Sequence, residues 1–165
     1  MATPQQGPET RLQIRWTFAA PRKKVFEAWT QREKLEKWMC RDNPNNTPRY
    51  IEFNDVRPGS ANLMEIRTAD GSVYRQRVVF REVKVPEKLV FTWAWERFSA
   101  SGQKEEQQEE TLVTVEFHER GNSTEVVLTH EFFRDAKQRD QHSKGWNGCF
   151  DVLAEYLGSQ ASERK

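Results

Sequence analysis

Residues 88–95 place Leu89, Phe91, Trp93 and Trp95 on one side of an extended chain and Lys88, Val90, Thr92 and Ala94 on the other. Successive side chains of a strand point to opposite faces, so strict alternation predicts a β-strand with one buried face. A face made of two tryptophans, a phenylalanine and a leucine must be covered by another element, and whatever covers it defines the fold. Aromatic residues make up 12% of the chain, with six Trp, ten Phe and three Tyr. Rings in that number either fill a core or line a pocket.

Residues 11–18 alternate in the same way, Leu12, Ile14, Trp16 and Phe18 against Arg11, Gln13, Arg15 and Thr17. Pro21 stands where a first helical residue belongs, and Val25, Phe26 and Trp29 mark one face of a short helix. Thr30, followed three residues later by Glu33, has the form of a capping box and opens a second short helix carrying Leu35, Trp38 and Met39. Residues 41–48, rich in Asn and Pro, read as loop. Strands are predicted at Ile51 and Phe53, at Met64 and Ile66, and over residues 73–83, where Tyr74, Gln76, Val78 and Phe80 share a face. Asp70-Gly71 is a hairpin dipeptide, and Pro86-Glu87 turns the chain into the strand at 88–95. Residues 96–110 hold no periodic apolar residue and are dense in Glu, Gln and Ser, which predicts an exposed, mobile loop. Two further strands, 112–118 and 124–132, meet at a turn around Gly121-Asn122.

Helical spacing resumes over residues 135–157, with Trp146, Cys149, Phe150, Leu153 and Leu157 on one face. Gly145 and Gly148 lie inside that helix. Each costs up to about 1 kcal/mol relative to Ala, so they point either to close approach of the sheet or to room left for something else. Strands joined by short turns form an antiparallel meander, and the C-terminal helix is the one element long enough to cover it. The predicted class is α+β, a helix-grip arrangement: a curved antiparallel sheet of about six to seven strands wrapped on a long C-terminal helix, with two short helices after the first strand. Residues 11–158 read as one domain, and residues 1–10 and 159–165 as flexible tails.

Charge excludes several classes. Lys plus Arg number 26 and Asp plus Glu 25, a balance unlike the basic excess of a nucleic-acid protein, so no nucleic-acid partner is expected. Arg75, Arg77 and Arg81 gather on one strand, where they read as a solvated outer face. No apolar run approaches the length of a membrane helix and the first ten residues carry no signal-peptide pattern, so neither membrane insertion nor secretion is expected. Two cysteines, Cys40 and Cys149, cannot build a disulfide framework and form no zinc motif, which points to a reducing, cytoplasmic setting without metal or cofactor.

Ala20-Pro21, the run from Val25 through Thr30, Leu35 and Trp38, and residues 55–59 (Asp-Val-Arg-Pro-Gly) together resemble the START-like superfamily. Within it they resemble the branch named for homologues of the activator of the ninety-kilodalton heat-shock protein's ATPase. Residues 86–92, residues 124–130, and Gly145-Trp146 followed by Leu153, Tyr156 and Leu157 continue the likeness, which spans roughly residues 12–157. The resemblance implies a helix-grip fold with a deep cavity between sheet and last helix, and no shared catalytic residues. Ser60 stands where a second Gly often follows in the family, and Gln76-Arg77 stand near where many members carry a Gly in the long strand. Larger side chains there narrow or reshape the pocket.

The candidate site follows from these faces. Trp93, Trp95, Tyr74, Met64 and Phe91 are expected on the concave side, facing Trp146 and Phe150, either as core or as the lining of a pocket for a small, largely hydrophobic molecule. Gln76 is an inward polar candidate able to donate and accept. His130 shares a face with Val126 and Leu128, where it would meet a ligand oxygen, transfer a proton or serve as a structural histidine. His118 is expected outward and His142 at an exposed helix start, so the three histidines are not expected to converge on a metal. No nucleophile elbow or phosphate loop is present, and Cys149 reads as an inert buried thiol. Asp55 and Arg57 read as a local pair shaping a turn. Ligand binding is the leading expectation. A cyclase, dehydratase or hydrolase using His130 with Gln76 or Glu131 is the alternative. A co-chaperone role rests on the name of the branch, so a chaperone partner is not expected, and homodimerisation is left open.

Overall fold

A computed structural model describes residues 10–41 and 47–162, with side chains over 10–41 and 48–158. Residues 1–9 of the expected N-terminal tail, residues 42–46 of the Asn- and Pro-rich loop, and the last three residues lie outside the described residues.

The chain runs β1 (Arg11–Phe18), α1 (Arg22–Thr30), α2 (Arg32–Trp38), β2 (Thr47–Glu52), β3 (Ala61–Arg67), β4 (Val73–Lys84), β5 (Lys88–Phe98), β6 (Lys104–Gln107), β7 (Thr111–Arg120), β8 (Ser123–Glu131) and α3 (Ala136–Ser162). The eight strands form one antiparallel sheet in the order β1-β8-β7-β5-β4-β3-β2, with β6 paired to β5. Two short helices after the first strand and a long helix at the end complete the α+β helix-grip arrangement expected from the sequence. Among the described residues no helix is long and apolar enough to cross a membrane.

Alternation sets the inner face of the sheet. Leu12 and Phe18 of β1, Met64 and Ile66 of β3, Gln76, Val78 and Phe80 of β4, and Leu89, Phe91 and Trp93 of β5 are all buried. Outside, Arg49, Arg67 and Arg75 surround Glu65 at 3.9, 3.1 and 3.5 Å. Arg75 also lies 5.0 Å over the ring of Phe98. The turn after β3 carries Gly71 at φ +89°, backbone that side-chain-bearing residues rarely adopt. The turn joining β4 to β5 contains a cis Val85–Pro86 bond.

Cover for the inner face comes from three helices rather than one. Phe150 and Leu153 of α3 are fully buried, and Phe150 stands edge-on to Trp16, Phe18 and Trp29. Phe26 and Trp29 of α1 pack edge-on against Phe117 of β7. Trp38 of α2 meets Trp29 at 4.6 Å and donates its indole N–H to the Ala28 carbonyl at 2.8 Å.

Three local expectations are corrected. Pro21 has φ −63° but ψ 151°, so it caps α1 from outside instead of starting it. The capping box at Thr30 does not form. Thr30 ends α1, its hydroxyl donating to the Phe26 carbonyl at 3.1 Å, and extended Gln31 takes the N-cap of α2. Residues 96–110 are not one continuous loop, because β5 continues to Phe98 and exposed β6 pairs back on it, Glu96 opposite Gln107 and Arg97 opposite Glu106. Backbone pairing and a turn at Gly102 (φ +87°) hold this hairpin without any apolar periodicity.

The start of α3 is capped by side chains. Asp135 accepts a 2.9 Å bond from the Gln138 backbone N–H, and Gln138 accepts a 2.8 Å bond from the Arg134 N–H, a reciprocal arrangement that anchors the helix where it leaves β8.

Candidate functional site

Between the sheet and the N-terminal half of α3 lies a cavity of about 400 Å³. Trp93 and Trp95 of β5, Tyr74 of β4 and Trp146 of α3 form its aromatic wall. Their rings support one another: Trp95 stands edge-on to Tyr74 at 6.3 Å and to Trp93 at 6.0 Å, and Trp93 tilts against Trp146 at 4.9 Å. Met39 and Cys40 at the end of α2, Ile66 of β3 and Cys149 of α3 complete the apolar lining. Gly145 of α3 also faces the cavity, and a Cβ added there would meet nothing within 4 Å. Of the two roles open to this glycine, room in the cavity is the one the geometry supports.

The mouth is polar. Thr68, Glu96, Arg97, Glu106, Gln108, Gln141 and His142 line it. The course of β5 explains why these groups collect there. β7 begins at Thr111 opposite Trp93, so β5 outruns that partner and takes up β6 instead. The inward alternation of Phe91, Trp93 and Trp95 therefore continues to Arg97, with Glu106 directly across the hairpin. Arg97 lies 3.6 Å from Glu106 and 3.6 Å from Glu105, and the Gln108 N–H binds the Trp95 carbonyl at 2.9 Å.

Behind the aromatic wall His130 is completely buried. The Trp146 indole N–H donates to its Nδ1 at 3.1 Å. An indole can only donate, so Nδ1 carries the lone pair and Nε2 the proton. Nε2 then donates to the Thr111 hydroxyl at 2.7 Å, and that hydroxyl donates to the Trp93 carbonyl at 3.0 Å. Burial, with a lesser contribution from His142, holds the imidazole well below its ordinary value of 6.5. Both nitrogens are engaged within the protein, and the ring's effect is to hold Trp146 and the start of β7 against β5.

His142 departs from expectation. It is half-buried at the cavity mouth, its ring 5.2 Å from His130 and 4.9 Å from Phe133. The imidazole lies one turn before Trp146, and the capped start of α3 brings that turn down onto the sheet. Its Nδ1 meets the Gln138 carbonyl at 2.9 Å, which places the proton on Nδ1 and the lone pair on Nε2. Burial lowers its pKa from the usual 6.5, partly opposed by that bond. Two histidines thus converge, although among the described residues no group of three or more His, Cys, Asp or Glu is placed to hold a metal.

Of the residues singled out from the sequence, Trp93, Trp95, Tyr74 and Trp146 reach the cavity surface. Met64, Gln76, Phe91, His130 and Phe150 share the concave side but are buried in the layer around it. Gln76 directs its amide N–H to Cys40 Sγ at 3.7 Å. Arg97 and His142 were missed, yet both carried a signal: Arg97 extends the period-two pattern beyond Trp95, and His142 lies four residues before Trp146 on the same helical face. Met39, Cys40 and Glu106 had none, since their place in the cavity depends on how distant segments pack.

The family model described as Activator of Hsp90 ATPase homolog 1-like protein matches residues 19–158. A crystal structure of a protein from Chromobacterium violaceum is 18% identical, with a TM-score of 0.75 over 90% of this chain and 97% of that one. The AHSA1 protein from Silicibacter pomeroyi is 20% identical, with a TM-score of 0.75 over 91% of this chain and 99% of its own. A solution structure from Arthrobacter aurescens is 18% identical, with a TM-score of 0.75 over 92% and 87%. At such identities the likeness is one of fold. No curated protein matches the sequence significantly.

Proposed function

This chain belongs to the Activator of Hsp90 ATPase homolog 1-like family, and from that premise we propose that it takes up a small, largely apolar molecule between the sheet and α3. The observation that carries this reading is the 400 Å³ cavity walled by Trp93, Trp95, Tyr74 and Trp146. Binding sites for small molecules are concave and mostly apolar, with a few convergent polar groups that fix orientation. Here the rings supply the apolar body of such a site, and Arg97, Glu106 and His142 supply the polar groups. Large rings held by edge-on and tilted contacts with one another lose little freedom when a ligand arrives, which favours affinity.

The alternative, an enzyme using His130 as its base, is weakened by the hydrogen bonds of that ring. A base needs a free lone pair within reach of the substrate proton, and the Nδ1 lone pair of His130 is occupied by the Trp146 N–H. The co-chaperone reading rests on the family name alone.

Native mass spectrometry of freshly purified protein, set against its denatured mass, tests the proposal. A non-covalent mass released on denaturation, and lost when Gly145 is enlarged, supports it. A bare mass combined with no quenching of tryptophan emission by small aromatic compounds would sink it.

A further inference from the structure

Arg97 reaches the cavity mouth as the last inward residue of β5, and its charge is incompletely used. Its contacts to Glu105 and Glu106 are both 3.6 Å long, beyond hydrogen-bonding range. Its Nε is buried and has no hydrogen-bond partner among the described residues. Guanidinium groups gain most from a carboxylate that accepts two parallel N–H bonds, and Arg97 has no such partner among the described residues. The Asp70 carboxylate also feels the Arg97 charge, and the acids nearer to the guanidinium differ in kind. Glu96 is held by the Lys104 ammonium at 2.9 Å, whereas the Glu105 and Glu106 side chains are 44% and 55% exposed and are readily hydrated when displaced.

We propose that the cavity's ligand is an apolar acid, its flat body lying against Trp93, Trp95, Tyr74 and Trp146 and its carboxylate taking the place of Glu106 on Arg97. The inference rests on the reading of the cavity as a binding site. Glu106 acts as an internal competitor: while the mouth is empty it stays near the guanidinium, and an entering carboxylate displaces it into water. Forming charge-assisted hydrogen bonds to a guanidinium that makes none among the described residues favours an anion over a neutral molecule of the same shape.

Quenching of tryptophan emission in the full-length protein, titrated with naphthoate, naphthamide and naphthylmethylamine, separates the cases. Naphthoate is expected to bind about tenfold more tightly than naphthamide. Arg97→Gln is expected to bring that ratio close to unity, and Glu106→Gln to raise it, because the competing carboxylate is gone. Naphthoate and naphthamide of equal affinity, tighter binding of the amine, or a ratio that survives Arg97→Gln would overturn the acid while leaving the cavity reading intact. If none of the three quenches, the cavity reading falls and the acid with it.

Discussion

The indole N–H of Trp146 donates to Nδ1 of His130 at 3.1 Å, joining the first half of α3 to the end of β8 through a fully buried pair. The chain of donors continues through Nε2 and the Thr111 hydroxyl to the Trp93 carbonyl, so two of the four cavity rings belong to residues tied into one hydrogen-bonded line. Thr111→Val keeps the shape of residue 111 and removes its oxygen. The His130 N–H then has no acceptor, and a loss of about 1–3 kcal/mol is expected. The check is a lower urea midpoint at an unchanged m value; an unchanged midpoint would show that the line carries no stability.

Acid should loosen the protein in two separate windows. His130 and His142 both have pKa values lowered from 6.5 in the folded state, chiefly by burial. Below 6.5 the unfolded chain therefore binds more protons than the folded one, so stability is full above that pH and falls as the pH drops beneath it. Asp70, lowered from 3.8 to about 2 by the Thr68 hydroxyl and the Ser72 backbone, contributes stability above 3.8 that is lost only as the pH falls toward 2. Urea midpoints measured across both ranges separate the steps. His130→Gln, whose amide can accept from Trp146 and donate to Thr111, should shrink the first step and leave the second. A first step of full size in that variant would assign it elsewhere.

Gly145→Leu should separate stability from binding. A glycine inside a helix costs about 1 kcal/mol relative to Ala, and the position has open space on the cavity side. The variant is expected to melt higher and to lose the bound or quenching ligand, because its side chain fills the cavity. Thermal melts and fluorescence titration read the two effects; a variant that is stabilised yet still binds would place the ligand outside this cavity.

Cys40 and Cys149 both line the cavity, although each is buried. A ligand seated against them should slow their alkylation by a small maleimide, measured by intact mass over time. Equal rates with and without saturating ligand would mean that the ligand lies away from this wall.

Much of the fold was legible because its elements declare themselves by period. Strand 88–95 and the face from Trp146 to Leu157 were evident from two- and nearly four-residue spacings, and both occupy the places expected. The hairpin of β5 and β6 was not, since strands whose partners lie close in sequence and whose side chains meet water need no apolar pattern. Capping was misread at Thr30 because that residue still belongs to α1, so the extended N-cap position of α2 falls one residue later, at Gln31. In the site, Trp93, Trp95, Tyr74 and Trp146 could be placed on the concave side, but the depth of each residue could not.

By itself the sequence determined the order of the long elements and the faces they bury, because periodicity and turn chemistry are local properties of the chain, and its motifs carried the resemblance to the family whose model matches residues 19–158. Tertiary structure alone decided which inward rings touch empty space and which touch each other, that His130 is saturated by Trp146 and Thr111 while His142 keeps a lone pair at the mouth, and that Arg97 lies near the end of β5 beside the cavity, its Nε without a hydrogen-bond partner among the described residues. The physical reason is that packing and hydrogen-bond satisfaction join residues far apart in the chain: alternation tells which way a side chain points, and only the opposing surface decides what it meets.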